Sequence, residues 1–169
     1  MDRKGWIISL TVAAALLPIA GYLAWKKCQS KKGPVAILDV EAVAEKSLPG
    51  KAATQHLRTV KNILQRNVGD IKKQYEGRLD TPEAVRAIAQ AQATYQQQEI
   101  IYQRKLDEEI KKLIAQAVHT WLTVHPDVTT VIPTDETLGY NAKSDITDEI
   151  MTEIQWYKPS FPPMPRRRT

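Results

Sequence analysis

The chain has few of the residues from which most enzyme sites and disulfide frameworks are built. It has one cysteine, Cys28, so no disulfide can form within the chain. Its seven glycines are scattered singly, which excludes the glycine-rich phosphate loops of nucleotide-binding proteins. Among its three histidines, His119 and His125 are six positions apart, a spacing that puts them on different faces of a helix and indicates no metal pair. We therefore expect a protein without catalytic activity, cofactor or bound metal.

Positive charge is scarce in the middle of the chain, although the whole chain has a formal net charge of +5. Residues 34–157 contain 14 lysines and arginines against 18 aspartates and glutamates, a net charge of −4 for this region. The excess of basic residues lies in the two terminal regions. Nucleic-acid binding depends on a concentrated basic surface, so we expect no nucleic-acid partner.

The most prominent feature that is present is an uncharged apolar run near the N-terminus. Twenty residues from Trp6 to Trp25 carry no charge, and a helix of that length spans about 30 Å, the thickness of the hydrocarbon core of a bilayer. The small residues that a signal peptidase requires are interrupted by large ones, and the lysines before Cys28 do not fit lipoprotein processing. We predict a retained membrane anchor in residues 1–33 rather than a cleaved signal peptide. The predicted anchor residues are Trp6, Ile7, Leu10, Leu16, Leu17, Tyr22 and Trp25.

Periodicity predicts two strands and a helical hairpin after the anchor. The β-branched runs "VAILDV" (residues 35–40) and "DVTTVIP" (residues 127–133) are expected to pair in one small sheet. A short helix is expected to break at Pro49 and Gly50, and apolar residues then recur every three or four positions. Asp80, Pro82 and Glu83 predict the capped start of a second helix, and hence an antiparallel hairpin over about 51–125. The predicted seam residues are Leu57, Val60, Leu64, Ile110, Leu113 and Trp121.

The C-terminal part predicts a short helix and a tail. Asp145 is expected to cap a helix whose apolar face includes Ile150 and Ile154. Residues 158–169 contain four prolines and favour an extended, disordered tail. The alternative is docking of the prolines and of Arg166, Arg167 and Arg168 onto a partner or an anionic surface.

The predicted fold class is α+β and mainly α. It comprises an N-terminal transmembrane helix, a small strand body with a long antiparallel helical hairpin, and a short C-terminal helix. The expected divisions are an anchor in residues 1–33, one soluble domain in residues 34–157 and a Pro/Arg-rich tail in residues 158–169. A hairpin with narrow apolar stripes rarely buries enough surface to stand alone, which favours a protein partner or a second copy of the chain.

The order of these parts resembles the TrbI family of type-F conjugative transfer proteins. The resemblance rests on the single span, the "VAILDV" strand, the segment "LDEEIKKLIAQAVHTWLTVHPDVTTVIP" and the final "DITDEIMTEI". It implies a non-catalytic inner-membrane component of a type IV secretion apparatus that acts in pilus assembly or retraction, with other conjugative transfer or envelope proteins as partners. The motif residues are Asp145, Ile146, Thr147, Glu149, Ile150 and Ile154.

The same region is also similar to the Skp/OmpH periplasmic chaperones. Tyr140 and Asn141 stand before the "DIT" helix, as in those chaperones, whose small strand body carries projecting helical hairpins. The chain departs from that pattern in its predicted anchor and in its acidic domain. The alternative function implied by this resemblance is that of a membrane-tethered chaperone for unfolded outer-membrane proteins.

Flanking charge and family resemblance imply opposite orientations in the membrane. Two basic residues and the amino terminus precede the apolar run, and four lysines follow it within residues 26–32, which favours a cytoplasmic C-terminal part. The resemblance to transfer proteins implies a periplasmic domain instead. An imbalance of one or two charges across a single span is weak, so we predict a single-pass inner-membrane protein with its domain in the periplasm.

Overall fold

The structure is a computed structural model that describes residues 33–166. The predicted anchor lies outside the described residues, as do Arg167 and Arg168, so the anchor stays a prediction. Within residues 33–166, no helix is both long enough and apolar enough to cross a membrane. The elements of the described region are β1 (Val35–Leu38), α1 (Val40–Lys46), α2 (Leu48–Gln74), α3 (Pro82–Val124), β2 (Thr130–Pro133), two single 3-10 turns (Thr134–Glu136 and Ala142–Ser144) and α4 (Thr147–Ile154).

The two predicted strands pair with each other, and they run parallel. Val35 lies opposite Thr130 and Leu38 opposite Pro133. An isolated bridge from Ile37 to Asp145 extends the sheet on the other side of β1, and the Ile146 amide donates to the Ile37 carbonyl at 2.9 Å. Parallel strands need a crossover connection, and here the crossover consists of α1 and the two long helices. The expectation of a mainly helical protein with one small sheet is confirmed.

The two long helices, α2 and α3, form the hairpin. Lys61 on α2 contacts Glu99 on α3 at 2.7 Å, and these residues are equally distant in sequence from Asp80 in the turn, so the helices run antiparallel. The 43 residues of α3 make a helix about 65 Å long. The hairpin therefore extends far beyond the small sheet from which it starts.

The hydrophobic core lies where the sheet, α1, α4 and the near end of the hairpin meet. Ile146, Ile150 and Ile154 of the C-terminal segment are fully buried there. They pack with Ile110, Leu113 and Trp121 of α3 in one cluster, which also contains Leu38 of β1 and Val43 of α1. We call this part of the molecule the body. Residues of β1, α1, α4 and the start of α2 pack against the C-terminal half of α3. This packing fixes the direction in which the hairpin leaves the body.

The break between α1 and α2 lies two or three residues earlier than predicted. The break is at Ser47, whose side chain accepts a hydrogen bond from the Gly50 amide at 3.2 Å. Pro49 lies inside the first turn of α2, where a missing amide donor costs nothing. A Cβ at Gly50 would lie 1.8 Å from the Ala44 carbonyl oxygen, so this glycine allows α1 to pack against the start of α2.

The predicted cap of the second long helix was wrong by one residue. Thr81, not Asp80, is the N-cap of α3, and its hydroxyl accepts from the Ala84 amide at 3.3 Å. Pro82 occupies the first turn as expected. The Thr81 hydroxyl accepts the capping hydrogen bond in place of the Asp80 carboxylate, so the proposed pairing of Asp80 with Glu83 does not form the cap.

The predicted C-terminal helix begins after a side-chain contact from Asp145. The N-cap of α4 is Ile146, one residue after the predicted Asp145, and its side chain forms no capping hydrogen bond. Asp145 Oδ1 still accepts from the amide of Thr147, the first residue of α4, at 2.9 Å. The tail differs from expectation, because residues 158–166 are not disordered but lie along the hairpin. This placement creates the second of the two surfaces described next.

Candidate protein-interaction surfaces

The first surface is a cleft at the point where the hairpin leaves the body. It has a volume of about 630 Å³ and lies between α1, the start of α2, the middle of α3 and the turn after β2. We call it the base cleft. Its floor is apolar and consists of Val40, Ala44, Ala53, Leu57, Ile110 and Ile114. An open apolar floor of this kind suits the side chains of another protein better than a small charged ligand.

Carboxylates surround this floor. Asp39, Glu41, Glu45, Asp107 and Asp135 line the cleft, with Lys111 as the one basic residue among its lining residues. Within residues 33–166, none of these six side chains forms an ion pair. Five carboxylates against one lysine give the cleft an excess of negative charge, and a concave surface concentrates the resulting potential, which attracts a cationic partner.

Local hydrogen bonds hold the entrance of the base cleft. Asp39 Oδ1 accepts from the Ala42 amide at 2.8 Å and so caps α1. The Asp39 amide donates to Thr147 Oγ1 at 3.0 Å, which ties the same residue to the start of α4. Thr134 Oγ1, at the other side of the cleft, is buried without a hydrogen-bond partner in the described part of the chain. The rim is therefore held in place at Asp39, and on the opposite side it contains the unsatisfied hydroxyl of Thr134.

The second surface is the face of the hairpin on which the tail lies. The Ser160 amide donates to Glu109 Oε1 at 2.8 Å, and the Tyr102 hydroxyl donates to the Pro163 carbonyl at 2.7 Å. Farther toward the turn, Asn67 Nδ2 donates to the Arg166 carbonyl at 3.2 Å. We call this face the tail groove. The tail thus runs away from the body and toward the tip of the hairpin.

An aromatic contact and a hydroxyl pair attach the body end of the tail. The rings of His56 and Phe161 lie 5.0 Å apart between centroids with a 48° tilt. The hydroxyls of Tyr157 and Thr120 are 2.8 Å apart. Burial raises the pKa of the Tyr102 hydroxyl, which stays a proton donor to the tail at neutral pH.

At the end of the described tail, the groove continues into a cavity of about 730 Å³ between the two helices. Its apolar lining residues are Leu64, Val68, Ile71, Ala87, Ala91 and Ile101, and its uncharged polar ones include Gln74, Gln90, Thr94 and Gln98. Its lining includes no carboxylate, and Pro165 and Arg166 lie at one end of it. We call it the distal cavity. The long helices are therefore incompletely packed against each other in this part of the hairpin.

One ion pair crosses the hairpin beside the distal cavity. The hydrogen bond from Lys61 lowers the pKa of the Glu99 carboxyl, and a further hydrogen bond from Tyr95 acts in the same direction. The bond to Glu99 correspondingly raises the pKa values of Lys61 and Tyr95. The pair is partly exposed to solvent, so it aligns the two helices more than it stabilises them.

The structure distributes the predicted site residues between the body and the hairpin. Of the seam residues, Val60, Leu64, Ile110, Leu113 and Trp121 are buried, and Leu57 is partly buried against the core. Of the motif residues, the three isoleucines fill the body core, Thr147 contacts Asp39, and Glu149 is exposed. The motif thus packs α4 onto the sheet, and its one contribution to the two surfaces is the hydrogen bond that Thr147 accepts from Asp39, which holds Asp39 at the rim of the base cleft.

The two C-terminal histidines of α3 have structural contacts. His125 stacks on Trp121 with ring centroids 4.0 Å apart, and its Nδ1 lies 2.9 Å from the Trp121 carbonyl oxygen. Across residues 33–166, no group of three or more histidine, cysteine, aspartate or glutamate side chains is arranged to hold a metal ion.

Sequence reasoning missed both surfaces. The carboxylates of the base cleft come from residues 39–45, 107 and 135, so no local pattern joins them. His56 and Tyr102 lie on two different helices, and both contact the tail. One signal was available, because an unpaired proline-rich tail and an aromatic stripe on a neighbouring helix are the usual parts of an extended-peptide contact.

Comparisons of the chain with models of protein families, with curated proteins and with solved structures find no match. The family resemblances therefore rest on the residues quoted for them.

Proposed function

We propose that this protein is a non-catalytic inner-membrane component of a conjugative type IV secretion apparatus, acting in pilus assembly or retraction. The resemblance of residues 106–154 to the TrbI family supports this proposal. So does an architecture in which a small body carries a helical hairpin whose helices have 27 and 43 residues, a shape suited to reaching other proteins. In this account the predicted anchor holds the protein in the inner membrane, with the described domain in the periplasm.

The observation that carries the proposal is the base cleft. Its apolar floor and its rim of unpaired carboxylates fit an amphipathic segment of another protein that presents apolar side chains flanked by lysine or arginine. Glu41 and Glu45 are exposed on this rim and form no ion pair within residues 33–166. The partner is expected among the other envelope proteins of the transfer apparatus.

Plasmid transfer from a donor strain tests this function. We expect deletion of the gene to lower the transfer frequency at least tenfold and the wild-type gene to restore it. The double variant Glu41→Lys, Glu45→Lys should fail to restore transfer, because it reverses the charge that attracts the partner. The matched control is Glu76→Lys, Glu83→Lys at the tip of the hairpin, which should restore transfer. Unchanged transfer after deletion would refute the proposal.

Fusions to the C-terminus test the proposed orientation. Alkaline phosphatase is active only after export, so a periplasmic domain gives phosphatase activity in the membrane fraction. Green fluorescent protein fused at the same position then stays dark. Fluorescence without phosphatase activity would place the domain in the cytoplasm and contradict the proposed role.

A membrane-tethered chaperone is the second candidate, favoured by apolar side chains on the distal half of the hairpin. Leu79, Val85 and Ile100 are 49%, 55% and 59% exposed, which leaves them available to an unfolded client. The full chain in lipid nanodiscs would then suppress aggregation of a denatured outer-membrane protein. Replacing these three residues with serine should abolish suppression of aggregation. If the first function holds instead, the base-cleft variant should lower plasmid transfer and the triple serine variant should not.

A further inference from the structure

The tail of this chain is held by the hairpin in the way that proteins hold proline-rich peptides. In the polyproline conformation a chain has no internal hydrogen bonds, and its carbonyls point outward. The hairpin contributes a donor to two of these carbonyls, from Tyr102 to Pro163 and from Asn67 to Arg166. The Ser160 amide, which follows Pro159, is paired with Glu109. Backbone pairing of this kind reads an extended conformation and not a particular set of side chains.

The spacing of the contacts fits that conformation. From Phe161 to Arg166 a polyproline segment advances about 16 Å, and from His56 to Asn67 an α-helix advances about 16 Å. The first residues of the two segments are in contact, as are the last. The tail therefore runs alongside α2 and covers the same length. An extended ligand of this groove needs that match to form all of these contacts.

The described residues of the tail, which end at Arg166, fill the groove incompletely. His56 Nε2 is buried and has no hydrogen-bond partner in the described part of the chain, although its ring contacts Phe161. Past Pro165 the groove continues into the distal cavity, where leucine, valine, isoleucine and alanine side chains are interspersed with uncharged glutamine, threonine and tyrosine side chains. The sequence after Arg166 is Arg, Arg and Thr, which has no apolar side chain for those walls, and the cavity has no carboxylate for the arginines.

We propose that the tail groove together with the distal cavity is a binding site for a proline-rich segment of a partner protein that continues into apolar residues. The chain's own tail occupies the first part of this site and competes with the partner. A partner segment with apolar side chains after its prolines also fills the distal cavity. The arginines that follow the prolines of the chain's own tail do not suit that cavity. Its carbonyls accept from Tyr102 and Asn67 in place of those of the tail.

Competition within one chain sets a threshold for binding. A tail joined to its own groove by a short connection has an effective concentration of about 1 mM. A partner displaces it only if the partner binds the groove more tightly than the tail does or is present at a comparable local concentration. Burial of added apolar side chains in the distal cavity provides the affinity. Weak proline-rich peptides therefore do not displace the tail, whereas proline-rich peptides followed by apolar residues do.

Peptide binding tests the proposal with the full chain in detergent and with a variant that lacks residues 159–169. The probe is a fluorescein-labelled peptide of residues 158–166 followed by three leucines, and the comparison peptide is residues 158–169 unchanged. We expect the tail-deleted variant to bind the leucine peptide at least tenfold more tightly than the full chain does, and at least tenfold more tightly than it binds the unchanged peptide. A leucine peptide whose four prolines are alanine should bind weakly.

Point variants identify the site. In the tail-deleted chain, Tyr102→Phe should weaken binding about threefold to tenfold, because a hydrogen bond to the peptide is lost. The matched control Tyr140→Phe, in the loop before α4, should have no effect. If deletion of the tail prevents folding, the full-length variant Phe161→Ser, Pro163→Gly loosens the tail and leaves the groove intact, and it should bind the leucine peptide several times more tightly than the wild type.

Three results would overturn the proposal. Equal binding by the full chain and the tail-free forms would mean that the tail does not occupy the site. Equal binding of the proline and alanine peptides would mean that the groove does not read an extended proline-rich segment. Tighter binding of the unchanged peptide than of the leucine peptide would make a second copy of this chain, through its tail, the occupant in place of a partner.

Discussion

The near and far halves of the hairpin are built from the same two helices but are packed differently. Near the body, α3 is buried along several turns, with Leu106, Ile110, Leu113 and Ala117 all in the core. Between residues 65 and 105, Ala84 is the one buried apolar residue, and the distal cavity separates the helices. The body thus holds the fold together, whereas the far half has surface to offer to other chains.

The largest expected effect comes from truncating the core of the body. Ile150 is fully buried, so Ile150→Ala should lower the free energy of unfolding by about 2–5 kcal/mol, through lost burial and the cavity left behind. Ile100→Ala in the far half removes the same atoms from a residue that is 59% exposed and should change it by less than about 0.5 kcal/mol. Urea unfolding followed by circular dichroism measures both. Similar losses would contradict the contrast between the two halves.

A pair of glycines in one helix sharpens the same contrast. Gly50→Ala places a methyl group against the Ala44 carbonyl and should destabilise the protein by about 1–3 kcal/mol. At Gly69, in the far half, an added Cβ meets nothing within 4 Å, so Gly69→Ala should stabilise α2 by about 0.5–1 kcal/mol. The shifts in melting temperature should have opposite signs. A stabilising Gly50→Ala would mean that α1 does not pack closely on α2.

The smallest expected effect concerns the ion pair that crosses the hairpin. The pKa of Glu99 is lowered in the folded protein, so the pair's contribution is present above the unfolded pKa and is lost as the pH falls below about 4.5. The raised pKa of Lys61 means that the contribution is also lost as the pH rises above about 10.5. At pH 7, Glu99→Gln should cost a few tenths of a kcal/mol, as expected of an exposed pair. Unfolding of the variant and the wild type at pH 7 and pH 3 measures this, and the difference should be smaller at pH 3 than at pH 7.

The sequence was informative wherever a local pattern is repeated. The three-and-four spacing of apolar residues predicted both long helices, and two β-branched runs predicted the pairing of β1 with β2. The ends of elements were less predictable, because Ser47 and Thr81 compete with neighbouring residues for the capping positions. Tertiary packing sets the backbone conformation at these positions, and that conformation determines which of the adjacent residues caps the helix.

The interaction surfaces could not be predicted, because each depends on residues far apart in the chain. The base cleft joins Asp39 to Asp135, and the tail groove joins Asn67 to Arg166. Composition alone indicated disorder for the tail, and it is correct that prolines prevent a helix or sheet there. An extended segment can still be ordered when side chains of the hairpin form hydrogen bonds with its backbone, and the positions of those side chains depend on the fold.

Residue-specific crosslinking at the base cleft tests the central claim most directly. A photo-crosslinking amino acid replaces Glu45 in full-length protein in donor cells that carry the transfer system, and a second strain carries it at Glu83 near the turn. The proposed function predicts that Glu45, and not Glu83, crosslinks to another protein of the transfer apparatus, identified by mass spectrometry. The crosslink should disappear when the transfer genes are deleted. Crosslinks at Glu45 that persist without those genes, or none at all in a strain that transfers its plasmid normally, would contradict a role for this cleft in conjugation.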